Sequence, residues 1–173
     1  SSDGTLDCLR SMQQRKWVRY ASLSRNFGQQ AALKAGLDLA HGDAVITMDG
    51  DLQHPPQVLP ALIAKWREGY PVVNAIRKST HKEGVFKRIT SHLYYRLFQW
   101  VTGLPLDYGS ADFRLLDRRV VHELQKMNEP HLFLRGLICW MGFQSASVVY
   151  AADERYAGQS KYSIGKMLNF ARD

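Results

Sequence analysis

The sequence predicts an α/β domain, a mainly parallel β-sheet flanked by helices. Three observations predict it. Short apolar runs alternate with segments of helical period from residue 17 to residue 76, the pattern of strand–helix–strand units. A helical segment over 29–41 gathers Ala32, Ala35, Gly36 and Leu39 on one face, which suits close packing on a sheet. An apolar run over 44–48 leads directly into two carboxylates, Asp49 and Asp51, and ligands of parallel sheets gather at the carboxyl ends of strands.

The elements follow in order. Residues 1–5 are a polar loop running into a helix over 6–15, with Asp3 or Thr5 as its cap. Residues 17–23 alternate loosely and predict a strand; residues 24–28 turn into the helix over 29–41. A strand over 43–48 follows, then a helix to residue 68 with Pro56 in its first turn. Leu59, Leu62, Ile63 and Trp66 recur at helical spacing and are assigned to the core. Residues 70–76 predict another strand. A basic stretch then leads into a long helix over 83–102, with Val85, Ile89, Leu93, Leu97 and Val101 on one face. Its basic and aromatic flanks suit a membrane interface, and suit equally a core helix with a solvated side. A strand begins near residue 110, and a helix covers 120–127. Pro130 breaks that helix, and another covers 131–142. Its core residues are Phe133, Leu134, Leu137, Ile138 and Met141, while Arg135 needs a carboxylate or carbonyl partner if buried. Residues 144–150 predict the last strand, and residues 164–173 an amphipathic helix.

The totals bound the possibilities. A chain of 173 residues with 45% hydrophobic content buries one sizeable core and is not a disordered tail. The net charge of +7 suits an anionic partner: nucleotide, lipid phosphate, membrane surface or nucleic acid. Cys8 and Cys139 lack metal-ligand spacing and read as reduced thiols in a cytoplasmic setting. No signal peptide opens the chain, and no apolar run is long enough to cross a bilayer, so the chain as given reads as soluble or peripheral.

Residues 46–56 read Ile-Thr-Met-Asp-Gly-Asp-Leu-Gln-His-Pro-Pro. Asp49 and Asp51 leave the end of the strand on one side, and Gln53 continues that side while the chain stays extended. Two carboxylates and an amide oxygen are hard ligands, suited to Mg²⁺ or Mn²⁺. Such a cation holds a diphosphate and stabilises it as a leaving group. A bare Asp-x-Asp serves as well in a capping turn; the apolar strand before it and Gln53-His54-Pro55-Pro56 after it favour the metal site. Further on, Asp112 and Arg114 differ by two and face one side of a strand. That pair either orients an acceptor phosphate or makes an internal salt bridge. Around Gly158, the side chains of Arg155, Ser160 and Lys161 supply cationic and hydroxyl donors. Such a loop closes over a diphosphate, or is a solvated charge cluster.

The stretch from Asp49 to Pro56 resembles the metal motif of family-two glycosyltransferases with a GT-A (Rossmann-like) fold. Within these it is most similar to the polyprenyl-phosphate glycosyltransferases, such as bactoprenol glucosyltransferases and dolichyl-phosphate mannose synthases. Asp112 to Leu115 resembles the family's Gly-x-x-Asp-Phe-Arg-Leu motif, and Arg155 to Tyr162 its Arg-x-x-Gly-x-Ser-Lys-Tyr loop. Arg25, Asn26 and Gly28 are similar to its Arg-Asn-x-Gly segment. The resemblance implies that Asp49, Asp51 and Gln53 hold Mg²⁺ or Mn²⁺. It implies that Asp112 is the catalytic base or acceptor-positioning carboxylate and that Arg114 contacts the acceptor phosphate. Arg25, Asn26, Arg155, Ser160 and Lys161 would bind the nucleotide-sugar and its phosphates. The implied reaction is inverting transfer of a sugar from a UDP- or GDP-linked donor to undecaprenyl or dolichyl phosphate, at the cytoplasmic face of the membrane.

The family usually has a first strand and an Asp-Asp-Gly-Ser loop, and residues 1–5 look like the tail of that loop. The expectation is therefore a single GT-A catalytic domain over 1–173, lacking the first strand and cut before carboxy-terminal membrane helices, with the full-length protein integral to the membrane. Oligomerisation stays open. Two alternatives remain. One is another family-two transferase, for polysaccharide synthesis, although the Gln-x-x-Arg-Trp motif usual there is absent. The other is a basic module binding phospholipid or nucleic acid, which leaves Asp49 and Asp51 without a purpose; no nucleic-acid partner is expected.

Overall fold

A computed structural model of the protein describes residues 4–78, 110–127 and 133–151. The expected helix over 83–102, His131, the loop bearing Arg155, Ser160 and Lys161, and the helix over 164–173 lie outside the described residues.

The described elements are α1 (Thr5–Met12), α2 (Gln29–Leu39), β1 (Ala44–Thr47), a 3-10 turn (Pro56–Val58) continuing into α3 (Leu59–Arg67), and β2 (Val72–Lys78). They are followed by β3 (Ser110–Asp117), α4 (Arg118–Lys126), α5 (Leu134–Trp140) and β4 (Ser145–Ala151). The sheet order is β1-β3-β2-β4. β3 pairs antiparallel with both β1 and β2, and β2 pairs parallel with β4. Three of the four strands therefore run one way, with β3 set against them in the middle. This is the α/β class the sequence predicts.

Helices cover both faces of the sheet. On one face Leu37 of α2, Val120, Val121 and Leu124 of α4, and Leu134 and Ile138 of α5 pack on Val72 and Leu116. On the other, Val58 and Leu62 pack on Val73, Ala75, Phe113, Leu115 and Tyr150. Phe113 and Leu115 point to α3, so the alternation of a strand sends Asp112 and Arg114 towards α2 and α5. Phe113, Leu115 and Leu116 are fully buried because β3 is an interior strand covered on both faces. Asp117 ends β3 and caps α4, its carboxylate accepting the Arg119 backbone N–H at 2.9 Å and the Trp66 indole N–H at 2.7 Å. Burial pushes the Asp117 carboxyl up, but hydrogen bonds from Arg119 and Trp66 outweigh it and hold the group below its ordinary value.

Four expectations need correction. Residues 17–23 form no strand, because no described strand lies beside them to take up their backbone hydrogen bonds. The packed face of α2 is Leu33 and Leu37, while Ala32, Gly36 and Leu39 are exposed; the larger leucines remove more apolar area from water. Phe133 is also exposed, standing just before α5 while Leu134 and Ile138 carry the burial. The remaining described elements fall within a few residues of expectation, but α1 is not capped by Asp3 or Thr5: its N-cap is Gly4 at φ 76°, with no side-chain cap, and Thr5 is already its first helical residue. Neither Cys8 nor Cys139 is in a disulfide among the described residues. Among the described residues, no helix is long and apolar enough to cross a membrane.

Candidate functional site

Thr47, the last residue of β1, lies opposite Arg114 in the register, and its hydroxyl donates to the backbone carbonyls of Asp112 and Arg114. This fixes the end of β1 against β3 just where the acidic motif begins. The motif then turns. Asp51 Oδ1 accepts the Gln53 backbone N–H at 3.1 Å, an Asx turn, and Leu52 between them sits at φ 63°. Leu52 is 66% exposed, so no burial of its side chain compensates a backbone conformation that non-glycine residues rarely adopt. Such strain concentrates at ligand sites.

His54 anchors the turn from below. Its Nδ1 accepts the Asp49 backbone N–H at 2.9 Å, which places the proton of a neutral ring on Nε2. The ring is buried, stacked on Phe113 at 4.6 Å between centroids and edge-on to Tyr150 at 6.3 Å. Burial raises the Tyr150 phenol above its ordinary value; Arg77 opposes that, and Asp49 and Asp51 add to it. Tyr150 therefore feels both carboxylates of the motif. Asp49 itself is 45% exposed at its side chain, and its Oδ1 accepts the Gln29 amide at 3.2 Å. Partly open carboxylate oxygens beside an amide are a donor set fit for a hard divalent cation. Among the described residues, no three His, Cys, Asp or Glu side chains converge, so the motif offers two carboxylates and must draw further ligands from amides, water or substrate.

On the α2 and α5 side, Asp112 is nearly buried. Its Oδ1 lies 3.4 Å from Nη2 of Arg135 and 3.9 Å from Nη2 of Arg114, and its Oδ2 accepts the Gln30 amide at 3.4 Å. The two side chains do face one side of β3 and lie within ion-pair distance, a geometry that belongs to both readings the sequence left open. Arg114 is only 4% exposed. Burial pulls its guanidinium down to about 10; Asp112 opposes that fall and Arg135 adds to it. Between these groups, Leu33, Leu37 and Thr47 lies a small cavity with room for about one water.

Arg25 and Asn26 make local contacts. The Arg25 guanidinium lies over the Phe27 ring at 4.7 Å, and Asn26 Oδ1 accepts the Gly28 backbone N–H at 2.9 Å. Both are exposed ahead of α2, whose first residues reach the two carboxylate groups. Gln29 and Gln30 thus bring Asp49 and the Asp112–Arg114 pair to the start of α2. Asp51 lies in the turn after Asp49, and because the chain bends at Leu52, Gln53 joins that turn through its backbone N–H and does not continue an extended strand. Sequence reasoning missed Gln29, Gln30, Thr47 and Tyr150, none of which carries a signal outside the fold. It quoted His54 only as part of a motif. Arg135 did carry a signal, a charge inside an apolar helix.

Comparison with known proteins gives a consistent picture. The sequence model of Glycosyl transferase family 2 matches residues 1–125. An uncharacterized glycosyltransferase, YkcC, of Bacillus subtilis is 43% identical over 156 residues, covering 90% of this chain and 48% of its own length. An uncharacterized glycosyltransferase of Synechocystis is 40% identical, covering 100% of this chain and 55% of its own. The bactoprenol glucosyl transferase of Shigella phage SfV is 42% identical over 150 residues, covering 87% of this chain and 49% of its own. The chain spans about half the length of the curated relatives it matches. A carboxylate motif at a strand end, set in an α/β sheet, and these matches place the chain in glycosyl transferase family 2.

Proposed function

We propose that the protein transfers a sugar from a UDP- or GDP-linked donor to a polyprenyl phosphate, with inversion, at the cytoplasmic face of a membrane. The observation that carries this reading is the meeting of two motifs. Neighbouring Gln29 and Gln30 of α2 reach Asp49 and Asp112 respectively, so the acidic turn and the Asp112–Arg114 pair share one end of the sheet. The name of the Shigella phage relative supports the lipid acceptor.

Asp49, Asp51 and Gln53 would hold Mg²⁺ or Mn²⁺, which supplies positive charge to the departing nucleoside diphosphate. His54 takes the Asp49 backbone N–H and Asp51 takes the Gln53 backbone N–H, and together these fix where the two carboxylates stand. Asp112 places the acceptor. Its oxygens already face Arg114, Arg135 and Gln30, and an acceptor phosphate ionised at neutral pH needs little proton removal. Arg114 sets positive charge at the acceptor phosphate. Arg25 and Asn26 contact the nucleotide, and Arg155, Ser160 and Lys161 its phosphates.

The test is a transfer assay on the whole protein with a panel of UDP- and GDP-sugars and either undecaprenyl or dolichyl phosphate. The expected result is Mn²⁺- or Mg²⁺-dependent transfer from one donor, with an inverted anomeric product. Absence of transfer to either lipid from every donor would sink the reading.

A further inference from the structure

The Asp112 cluster holds more than the pair that the sequence predicts. Arg135 comes from α5 and brings a second guanidinium to the same carboxylate oxygen, Oδ1, that faces Arg114. Gln30 comes from α2 and takes the other oxygen. The Gln30 amide is used at both ends: its Nε2 donates to Asp112 while its Oε1 accepts the Leu134 backbone N–H at 3.2 Å, one residue before Arg135. Gln30 therefore ties the start of α2 to β3 and to the start of α5. The Arg135 side chain is 28% exposed and that of Arg114 only 5%, so Arg135 is the member of the cluster nearer to solvent. The Nε of Arg135 is buried and finds no partner among the described residues. A buried donor left unmade is costly, so its place beside Asp112 calls for an explanation.

We propose that Arg135 and Gln30 are positioning residues: from two helices they fix the Asp112 carboxylate in one orientation towards the acceptor. This rests on the acceptor-placing role of Asp112 given above. A carboxylate on a strand has two side-chain torsions to settle; one contact to each oxygen, from two different helices, removes that freedom before the acceptor arrives. Arg114 alone lies 3.9 Å away and does not supply this.

The test is a variant cycle in the whole protein, with initial rates measured against acceptor concentration and nucleotide affinity measured separately in Mn²⁺. Arg135→Lys keeps the charge and loses the planar fork; Gln30→Ala loses both amide contacts. Each is expected to lower kcat/KM for the acceptor about tenfold or more, with nucleotide affinity within about twofold of wild type. Asp112→Asn combined with Arg135→Lys is expected to lose no more than Asp112→Asn alone, because Arg135 acts through Asp112. Wild-type acceptor kinetics in both single variants would overturn the proposal. So would a double variant whose loss is the product of the single losses, the mark of residues that act independently. A wild-type protein that transfers nothing would overturn the transferase reading and this proposal together, an outcome distinct from an active enzyme with multiplicative losses.

Discussion

Replacing His54 by alanine separates the scaffold of the acidic turn from its carboxylates. The substitution removes the acceptor of the Asp49 backbone N–H, a bond of 2.9 Å. An amide left without an acceptor in a part-buried site costs about 1–3 kcal/mol. It also removes the stack on Phe113 at 4.6 Å and the edge contact to Tyr150, about 0.5–1.5 kcal/mol beyond area burial. Together the expected loss is about 2–4 kcal/mol. His54→Asn supplies an amide oxygen close to where Nδ1 stood, so it keeps the hydrogen bond and loses the ring. Its expected loss is about 1–2 kcal/mol, chiefly stacking and packing. Urea denaturation of the three proteins reads both values. Equal losses in His54→Ala and His54→Asn would refute the hydrogen-bond argument, and an unchanged His54→Ala would refute the packing argument as well.

Two further predictions concern the frame around the site. Gly28 enters α2 at φ 89°, ψ 169°, a region essentially closed to residues with a Cβ, although a Cβ there would meet nothing within 4 Å. Gly28→Ala should therefore cost about 1–3 kcal/mol through the backbone alone, read by thermal unfolding; a stability equal to wild type would show that the turn relaxes freely. Asp117→Ala should cost about 1–2 kcal/mol through loss of the α4 cap, measured in denaturant. The carboxyl of Asp117 is held below its ordinary value, so its charge stabilises the fold above that value and the benefit is lost as pH falls through the folded pKa. The stability gap between wild type and Asp117→Asn should accordingly close in acid; a gap that widens there contradicts the assignment.

The acidic turn was legible because an apolar strand stops abruptly at two carboxylates and a double proline, a local pattern. Core positions of α3 were legible for the same reason: Leu59, Leu62, Ile63 and Trp66 repeat at helical spacing, and all pack on the sheet. β3 was harder, since Phe113, Leu115 and Leu116 are buried together and blur the alternation that marks a half-exposed strand. Residues 17–23 carry a strand-like pattern that nothing in the described sheet completes. The roles of Gln29, Gln30 and Tyr150 depend on contacts with residues remote in sequence, as when Gln30 meets Asp112 across 82 positions. No periodicity encodes such a meeting. Arg135 was half legible: its charge in an apolar segment demanded a partner, and the fold supplied Asp112.

The most direct test of the central claim is calorimetric titration of the whole protein with UDP- and GDP-sugars, with and without Mn²⁺, for wild type and Asp51→Ala. Binding of one nucleotide-sugar that strengthens with Mn²⁺ in wild type, and loses that response in Asp51→Ala while the variant melts normally, is the predicted result. Nucleotide binding that ignores Mn²⁺, or an Asp51→Ala protein that keeps the full response, would contradict it.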